Sequence, residues 1–295
     1  MLVIGPEVQA ALRSGGAVVA LETAVLTHGL PSPTGLETMG RMADAVRHKG
    51  AVPAVVGVLG GQLTVGLAED AWPQLLDAPW KCSLRDLAIA AAMRRNGGTT
   101  VAATAFLADR AGLKVFATGG IGGVHRGFAQ HLDVSADLKT LAGVPLVVVS
   151  AGAKSVLDLA ATLEVLETLS VPVLGLRTDA FPGFYVADSG LSLDHVAQSA
   201  REVARVRRAM DALDLRQALL CVQPGPRPLD PGMVERLVAE AEAELARQEV
   251  HGKAVTPFLL DHLNRQSGQD LMRANIDLLV HNAELAADIA VELYR

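Results

Sequence analysis

Short apolar runs alternate along the chain with segments that carry apolar residues three or four positions apart. The run 146–149 has no polar residue within it, so it predicts a strand buried on both faces. After it, Val156, Leu159, Leu163 and Leu166 fall on one helical face. Because this alternation recurs, the sequence predicts a three-layer α/β/α fold with a largely parallel central sheet.

The same pattern places the other elements. Strands are predicted at 17–21, 54–58, 115–118, 146–149 and 173–177, with a hairpin at Gly60-Gly61. Helices are predicted at 3–15, 36–46, 83–91, 101–110, 156–166, 195–213, 233–245 and from about 267 to the end. Prolines and glycines predict loops at 27–33 and 223–231, and Gly50 and Asn96-Gly97-Gly98 are predicted helix stops.

Lys154 lies where the buried strand 146–149 is predicted to meet a helix. Ser155 and Asp158 resemble a capping box, which would put the amine beside the helix N-terminus. The helix dipole and small apolar neighbours both favour a neutral amine, the form that a Schiff-base nucleophile requires. The alternative is an ordinary lysine that reaches solvent or pairs with a carboxylate.

Composition narrows the class of protein. The chain has 295 residues, of which 50% are hydrophobic, and a formal net charge of −6, which argues against nucleic-acid or membrane partners. Cys82 and Cys221 lack metal-ligand spacing and suit a reducing compartment. We see no signal peptide and no apolar stretch long enough to span a membrane. The expectation is one cytoplasmic domain covering 1–295.

Polar residues cluster where successive strands are predicted to end. Glu22 follows the first strand, Thr118 and His125 the third, and 133–137 lies between Thr118 and Lys154. Each has an ordinary alternative as a capping or packed residue, but ligands bind at the carboxyl ends of strands in open α/β sheets. Between them, residues 119–127 hold five glycines, which let a backbone approach a ligand closely. His125 stands where a dinucleotide fingerprint needs glycine.

Long blocks of sequence resemble the pseudouridine-5′-phosphate glycosidase family, also called the indigoidine synthase A-like family. The first two are Ala20-Leu21-Glu22-Thr23 and Thr27-His28-Gly29-Leu30-Pro31. The others are 81–87, 97–104, 118–127, 133–138, 150–155, 182–185 and 274–283. The departures are Thr23-Ala24-Val25 in place of a Ser/Thr-rich segment and His281 in place of an asparagine.

The resemblance implies a reaction and a set of roles. The reaction is reversible cleavage of the C–C glycosidic bond of pseudouridine 5′-phosphate to uracil and ribose 5-phosphate, in a homotrimer with one Mn²⁺ per subunit. Lys154 resembles the nucleophile that forms an imine with ring-opened ribose, Glu22 the proton donor and Asp133 the single protein ligand of the metal. The implied substrate contacts are Lys81, Val101, Ser135, Ala136 and Asp137, with Thr118, His125 and Asn282 as further pocket residues.

Two other functions remain open from the residues alone. A sugar-phosphate aldolase would also use Lys154 as a Schiff base, but it would need no nucleobase pocket. A ligand-binding or pigment-cluster accessory protein could share the fold without catalysis. The joint presence of Glu22, Asp133 and Lys154 argues against the second alternative.

Overall fold

The computed structural model describes residues 2–76, 80–248, 250, 255–266 and 270–295. Its strands, in chain order, are β1 (Leu2–Ile4), β2 (Val18–Glu22), β3 (Val52–Leu59), β4 (Gln62–Val65), β5 (Trp80–Cys82), β6 (Gly97–Thr99), β7 (Val115–Ala117), β8 (Val124–His125), β9 (Val147–Ser150), β10 (Leu157–Asp158), β11 (Val173–Leu176), β12 (Val196–Ala197) and β13 (Leu219–Val222). Eleven of them form one sheet, and β8 and β10 form a separate pair.

The helices complete the layers on both faces of that sheet. They are α1 (Pro6–Arg13), α2 (Thr34–His48), α3 (Leu87–Ala92), α4 (Val101–Arg110), α5 (Phe128–His131), α6 (Ala136–Leu141), α7 (Leu159–Thr168), α8 (Ala200–Ala212), α9 (Pro231–Arg247), α10 (Val255–Gln266) and α11 (Asp270–Tyr294). Helix α11 packs against β2, β7 and β9, with α2 and α8 beside it. On the other face α4 packs against β2 and β3, next to α6.

The centre of the sheet is parallel. Its order is β1-β4-β3-β2-β7-β9-β13-β11-β12, and β6 joins β3 while β5 joins β6. Every residue of β2, β7, β9 and β13 is buried, and all of these residues are apolar except Glu22 and Ser150 at the ends of β2 and β9, as is typical of parallel strands covered on both faces. The predicted fold class is confirmed. In the described part of the chain no helix is both long and apolar enough to cross a membrane.

The structure confirms several elements that short sequence signals predict. Helix α4 has the predicted bounds, and Thr100 caps it by accepting a hydrogen bond from the Ala103 N–H. Gly50 follows α2 with φ +83°, as a terminating glycine should. Strands β3 and β4 form the predicted antiparallel hairpin.

Other expectations were wrong. The predicted helix 3–15 is a strand, β1, followed by the shorter α1, and the predicted helix 195–213 is β12 followed by α8. The predicted loop 27–33 overlaps a π-helical turn, Val25–Gly29, and the predicted stop at 96–98 overlaps β6. Strand β13 and helix α10 were not predicted, and the predicted start of the last helix near 267 lies outside the described residues.

Candidate active site

A cavity of about 460 Å³ opens at the carboxyl ends of β2, β7 and β9. It lies where a parallel sheet is expected to bind its ligand. The structure brings nearly all of the predicted site residues to its wall, namely Glu22, Lys81, Val101, Thr118, His125, Asp133, Ser135, Ala136, Asp137 and Lys154. Asn282 is the one that does not line it.

Glu22 is the last residue of β2 and is only 8% exposed. The Thr118 hydroxyl, just beyond the end of β7, donates a hydrogen bond to Glu22 Oε1. Burial raises the pKa of Glu22, while the positive charge of Lys154 and the hydrogen bond from Thr118 pull that pKa partly back. A carboxyl group with a raised pKa holds its proton closer to neutral pH, so Glu22 suits the role of general acid.

Lys154 lies in a turn and not at a helix N-terminus. Its backbone N–H donates to the Ile121 carbonyl at 3.1 Å, and its own carbonyl accepts from the Leu157 N–H at 3.0 Å. Helix α7 begins only at Leu159, with Asp158 as the capping residue. The predicted cap at Ser155 is therefore wrong, and the helix dipole does not act on the amine, because its effect falls off within the first turn.

Ser155 has a different task. Its hydroxyl donates to the Gly183 carbonyl at 2.6 Å and so ties the Lys154 turn to the loop after β11. Gly152 in the same turn has φ +76°, and a Cβ there would meet the Pro182 carbonyl. The loop therefore packs backbone against backbone behind Lys154, which explains the small residues between β9 and the lysine.

Asp137 lines the cavity, but backbone donors occupy its carboxylate. One oxygen accepts from the Ala102 N–H at 2.9 Å and the other from the Gly122 N–H at 2.8 Å. Ser135 caps the same helix, α6, by accepting from the Asp137 N–H at 3.2 Å. Asp137 thus joins the start of α4, the glycine-rich loop and the start of α6 at the rim of the cavity.

Asp133 and His125 form the outer part of the wall. The His125 N–H donates to the Asp133 carbonyl at 3.0 Å, and His125 Nδ1 lies 3.9 Å from Asp133 Oδ2. Burial lowers the pKa of His125, and the charge of Asp133 opposes that shift. The Asp133 side chain is 37% exposed, so water can reach its carboxylate.

The donor set around Asp133 limits what cation could bind. Within the described ranges no group of three or more His, Cys, Asp or Glu side chains is placed to hold a metal. A partly exposed single carboxylate suits a hard cation that keeps most of its ligands as water or substrate oxygens. The residues present therefore fit a loosely held Mg²⁺- or Mn²⁺-like ion at Asp133, and do not fit a closed protein cage.

Asn282 lies behind the cavity on α11 and is fully buried. Its Nδ2 donates to the Thr118 carbonyl at 2.9 Å, and its Oδ1 accepts from Gln223 Nε2 at 3.2 Å. Asn282 therefore fixes the backbone at Thr118, just beyond the end of β7, and the Thr118 hydroxyl in turn donates to Glu22. Its predicted contact with substrate stays a prediction.

Sequence reasoning missed part of the cavity wall. The additional lining residues include His28, Arg85, Phe184, Tyr185 and Asn275. All of them lie inside sequence blocks that carry the family resemblance, so the signal was their position within those blocks. No spacing or periodicity singles them out.

The fold and the cavity together define an α/β protein with a buried acid and a lysine at the strand ends of a parallel sheet. The model of the indigoidine synthase A like protein family matches residues 7–292, and the chain belongs to this family. The resemblance found in the sequence is thereby confirmed.

Named relatives cover almost the whole chain. A pseudouridine-5′-phosphate glycosidase of Saccharopolyspora erythraea is 53% identical over 98% of this chain and 96% of its own length. One of Symbiobacterium thermophilum is 47% identical, with 98% and 96% covered.

Two solved structures share the fold. An indigoidine synthase A-like protein of Thermotoga maritima superimposes with a TM-score of 0.92 at 36% identity, covering 100% of this chain and 97% of its own. The prealnumycin C-glycosynthase AlnA, solved in complex with ribulose 5-phosphate, gives a TM-score of 0.91 at 36% identity, with the same coverage.

Proposed function

We propose that this chain reversibly cleaves the C–C glycosidic bond of pseudouridine 5′-phosphate to uracil and ribose 5-phosphate. The observation that carries the proposal is the cavity shared by Glu22, buried with a raised pKa, and Lys154, whose charge acts on it. Relatives at 53% and 47% identity that are named for this reaction support the substrate. A fold neighbour that is a C-glycosynthase with a bound sugar phosphate supports the bond type.

The substrate dictates the need for an amine. A C-glycoside has no leaving oxygen or nitrogen that a carboxylic acid could protonate, so the carboxylate pair of ordinary glycosidases does not suffice. In our proposal Glu22 protonates the ring oxygen of the ribose, and the neutral Lys154 amine bonds to C1′ as the bond between C1′ and that oxygen breaks. The Glu22 carboxylate, which has given up its proton, then takes a proton from the new ammonium nitrogen and restores the nitrogen lone pair. The nitrogen lone pair then forms the imine while the electrons of the C1′–C5 bond stay on uracil C5, which takes up a proton. Water hydrolyses the imine and frees the amine.

Other residues hold the acid in place. Thr118 holds Glu22 through its hydroxyl, and Asn282 holds the backbone at Thr118. Lys81, Val101 and Ser135 to Asp137 line the same cavity and are proposed substrate contacts. Asp137 and Ser135 also stabilise the structure of the site, because both Asp137 carboxylate oxygens accept backbone N–H bonds and Ser135 caps helix α6.

The metal proposal rests on the donor set described above. Asp133 would be the sole protein ligand of one Mn²⁺, and water and substrate oxygens would complete the coordination. When bound, such an ion neutralises negative charge on the substrate. His125, beside Asp133, fixes the backbone at Asp133 through its own backbone N–H.

The sugar-phosphate aldolase is the competing function, since it would use the same lysine. The names of the relatives favour the glycosidase. The two are separated by the reverse reaction, because consumption of ribose 5-phosphate should require uracil. Consumption without uracil would favour the aldolase.

The experiment that tests the lysine is borohydride trapping. Reduction in the presence of ribose 5-phosphate should add one sugar phosphate to the wild-type chain at Lys154, detected by peptide mass spectrometry. Lys154→Arg should give no adduct and lose the chemical step, because a guanidinium stays protonated. Lys81→Arg is the matched control and should still be labelled at Lys154. An adduct on Lys81, or none on the wild type, rejects the assignment.

The assembly and location come from the resemblance. We propose the trimer of the family and a cytoplasmic location. Sedimentation equilibrium should give three times the mass of the chain, and a monomer or dimer would reject the trimer.

A further inference from the structure

Two strands share one edge of β3, and they change over directly after Glu22. Strand β2 pairs with β3 in parallel as far as Glu22, which lies opposite Val56. Strand β6 then pairs with β3 in the antiparallel sense, with Gly98 opposite Gly57. Strand β4 occupies the other edge of β3 at these positions. The end of β2 and the end of β6 therefore meet beside Val56, and we call this point the strand junction.

Three threonine side chains fill the strand junction with hydrogen bonds. The Val56 carbonyl accepts from the Thr23 hydroxyl at 2.6 Å and from the Thr99 hydroxyl at 2.7 Å. The Thr99 N–H donates to Thr23 Oγ1 at 3.0 Å, and the Thr104 hydroxyl donates to Thr99 Oγ1 at 2.9 Å. Each hydroxyl proton is used once in this arrangement, and the two lone pairs of the Val56 carbonyl can accept both bonds.

The three threonines are fully buried, with no exposed area on Thr23, Thr99 or Thr104. The cavity wall, as far as the structure describes it, includes none of them. They therefore do not touch a ligand, and any effect they have on the reaction must pass through a neighbouring residue.

The strand junction connects two parts of the cavity wall. Thr23 directly follows Glu22, the last residue of β2. Thr99 ends β6, which pairs with β5 so that Gly98 lies opposite Lys81. A Cβ on Gly98 would come within 3.0 Å of the Thr23 carbonyl, so the two backbones approach closely here. The strand junction thus joins the backbone of the buried acid to the strand next to Lys81.

We propose that Thr23 and Thr99 are positioning residues, which hold the end of β2 against β6 and so keep the Glu22 carboxyl where it protonates the sugar ring oxygen. The proposal deepens the proposed function and rests on it. Thr118 holds the carboxyl group itself, whereas the strand junction holds the backbone to which that carboxyl is attached. A displacement of about 1 Å at a reacting group can lower a rate by about 10²-fold.

Three variants separate positioning from stability. Thr23→Val keeps the volume but removes the bond to Val56 and the acceptor for the Thr99 N–H, so kcat for pseudouridine 5′-phosphate should fall by roughly 10- to 100-fold. Thr23→Ser keeps the hydroxyl and should restore most of the rate. Thr104→Val is the matched control. It removes a buried hydroxyl but leaves both bonds to Val56, so it should lower the stability to urea without lowering kcat.

A double-mutant cycle shows whether Thr23 acts through Glu22. The rates are measured in single turnovers with enzyme in excess, so that slow variants can be compared. Adding Thr23→Val to Glu22→Gln should cause little further loss, because the acid whose position matters is already gone. Losses that multiply overturn the proposal. So does a wild-type kcat in Thr23→Val, an equal loss of kcat in Thr104→Val, or no rescue by Thr23→Ser.

The remaining outcomes also decide the proposal. If Thr23→Val does not fold, Thr99→Val takes its place in the cycle, since it removes the other hydroxyl bond to Val56. Loss of the folded state in both variants overturns the proposal, because the pair would then serve folding alone.

If the wild type does not turn over the substrate, the proposed function fails separately. Titration calorimetry with ribose 5-phosphate then tests the strand junction. Weaker binding by Thr23→Val but not by Thr104→Val supports the proposal, and equal affinity of Thr23→Val and wild type overturns it.

Discussion

The cavity has a carboxyl group on its inner wall, where the sheet strands end, and another on its outer wall, and the two differ in their exposure to water. On the inner wall Glu22 is buried at the end of β2 and is held by the Thr118 hydroxyl. On the outer wall Asp133 is partly exposed and lies beside His125. Burial raises the pKa of the first carboxyl, which suits the proposed role of proton donor. Exposure leaves the second open to water, which suits a hydrated cation.

Asp137 is a second buried carboxylate of the cavity, and its hydrogen-bond partners differ from those of Glu22. It is as buried as Glu22, but its two oxygens accept backbone N–H bonds at 2.9 and 2.8 Å. Those donors occupy both oxygens of Asp137, whereas Glu22 has one hydroxyl partner in the described hydrogen bonds. The three carboxyl groups therefore differ in their surroundings: a hydroxyl contacts Glu22, two backbone N–H groups contact Asp137, and water can reach Asp133. Three substitutions test this comparison.

Glu22→Gln should have the largest effect. It keeps the shape and the hydrogen bond with Thr118 but removes the proton donor, so kcat should fall by about 10²- to 10⁴-fold. For the wild type, kcat/KM should fall as the pH rises through the raised pKa of Glu22, because the proposed mechanism uses the protonated acid. The measurement is a pH profile of both proteins.

The control for this test is Thr118→Val, which removes the hydroxyl but keeps the acid. Since that hydrogen bond lowers the pKa of Glu22, its loss should move the alkaline limb of the profile to higher pH. Glu22→Gln should lack that limb altogether. An unchanged profile in Glu22→Gln contradicts the role of Glu22 as the acid.

The sequence predicted the parts of this site that local signals determine. The apolar run of β9 and the bounds of α4 depend on near neighbours, and both elements appear where the sequence predicts them. The placement of polar residues at strand ends also held, because parallel strands present their carboxyl ends at one edge.

Long-range contacts account for what the sequence did not predict. Strand β13 is a short apolar segment between β9 and β11 in the sheet, and its strand character depends on those distant partners. Ser155 has the local signature of a helix cap, yet its hydroxyl bonds to Gly183, in a loop 28 positions away. The structural task of Asn282 likewise depends on Thr118, 164 positions away.

Asp137→Asn should have the next largest effect, and on stability. The amide keeps one acceptor oxygen but puts an NH₂ group against a backbone N–H, so one charge-assisted hydrogen bond is lost. We expect the free energy of unfolding to fall by about 1.5–3 kcal/mol, measured by urea denaturation. Asp158→Asn is the matched control: it caps α7 through the Ala161 N–H, and asparagine caps equally well. Equal stability of Asp137→Asn and wild type would contradict the assigned contacts.

Asp133→Asn should have the smallest effect on stability and a separate one on metal dependence. Its side chain is 37% exposed, so the free energy of unfolding should change by less than about 0.5 kcal/mol. Loss of the carboxylate that we propose as the metal ligand should raise the Mn²⁺ concentration needed for half-maximal activity by about tenfold or more, on the order expected when a site loses ligand charge. Chelator should inactivate the wild type, and added Mn²⁺ should restore its activity.

Exposed Asp70→Asn is the control for both measurements. Full activity of Asp133→Asn in metal-free buffer would show that the outer wall does not hold the cation, and the contrast between the two walls would then rest on Glu22 alone.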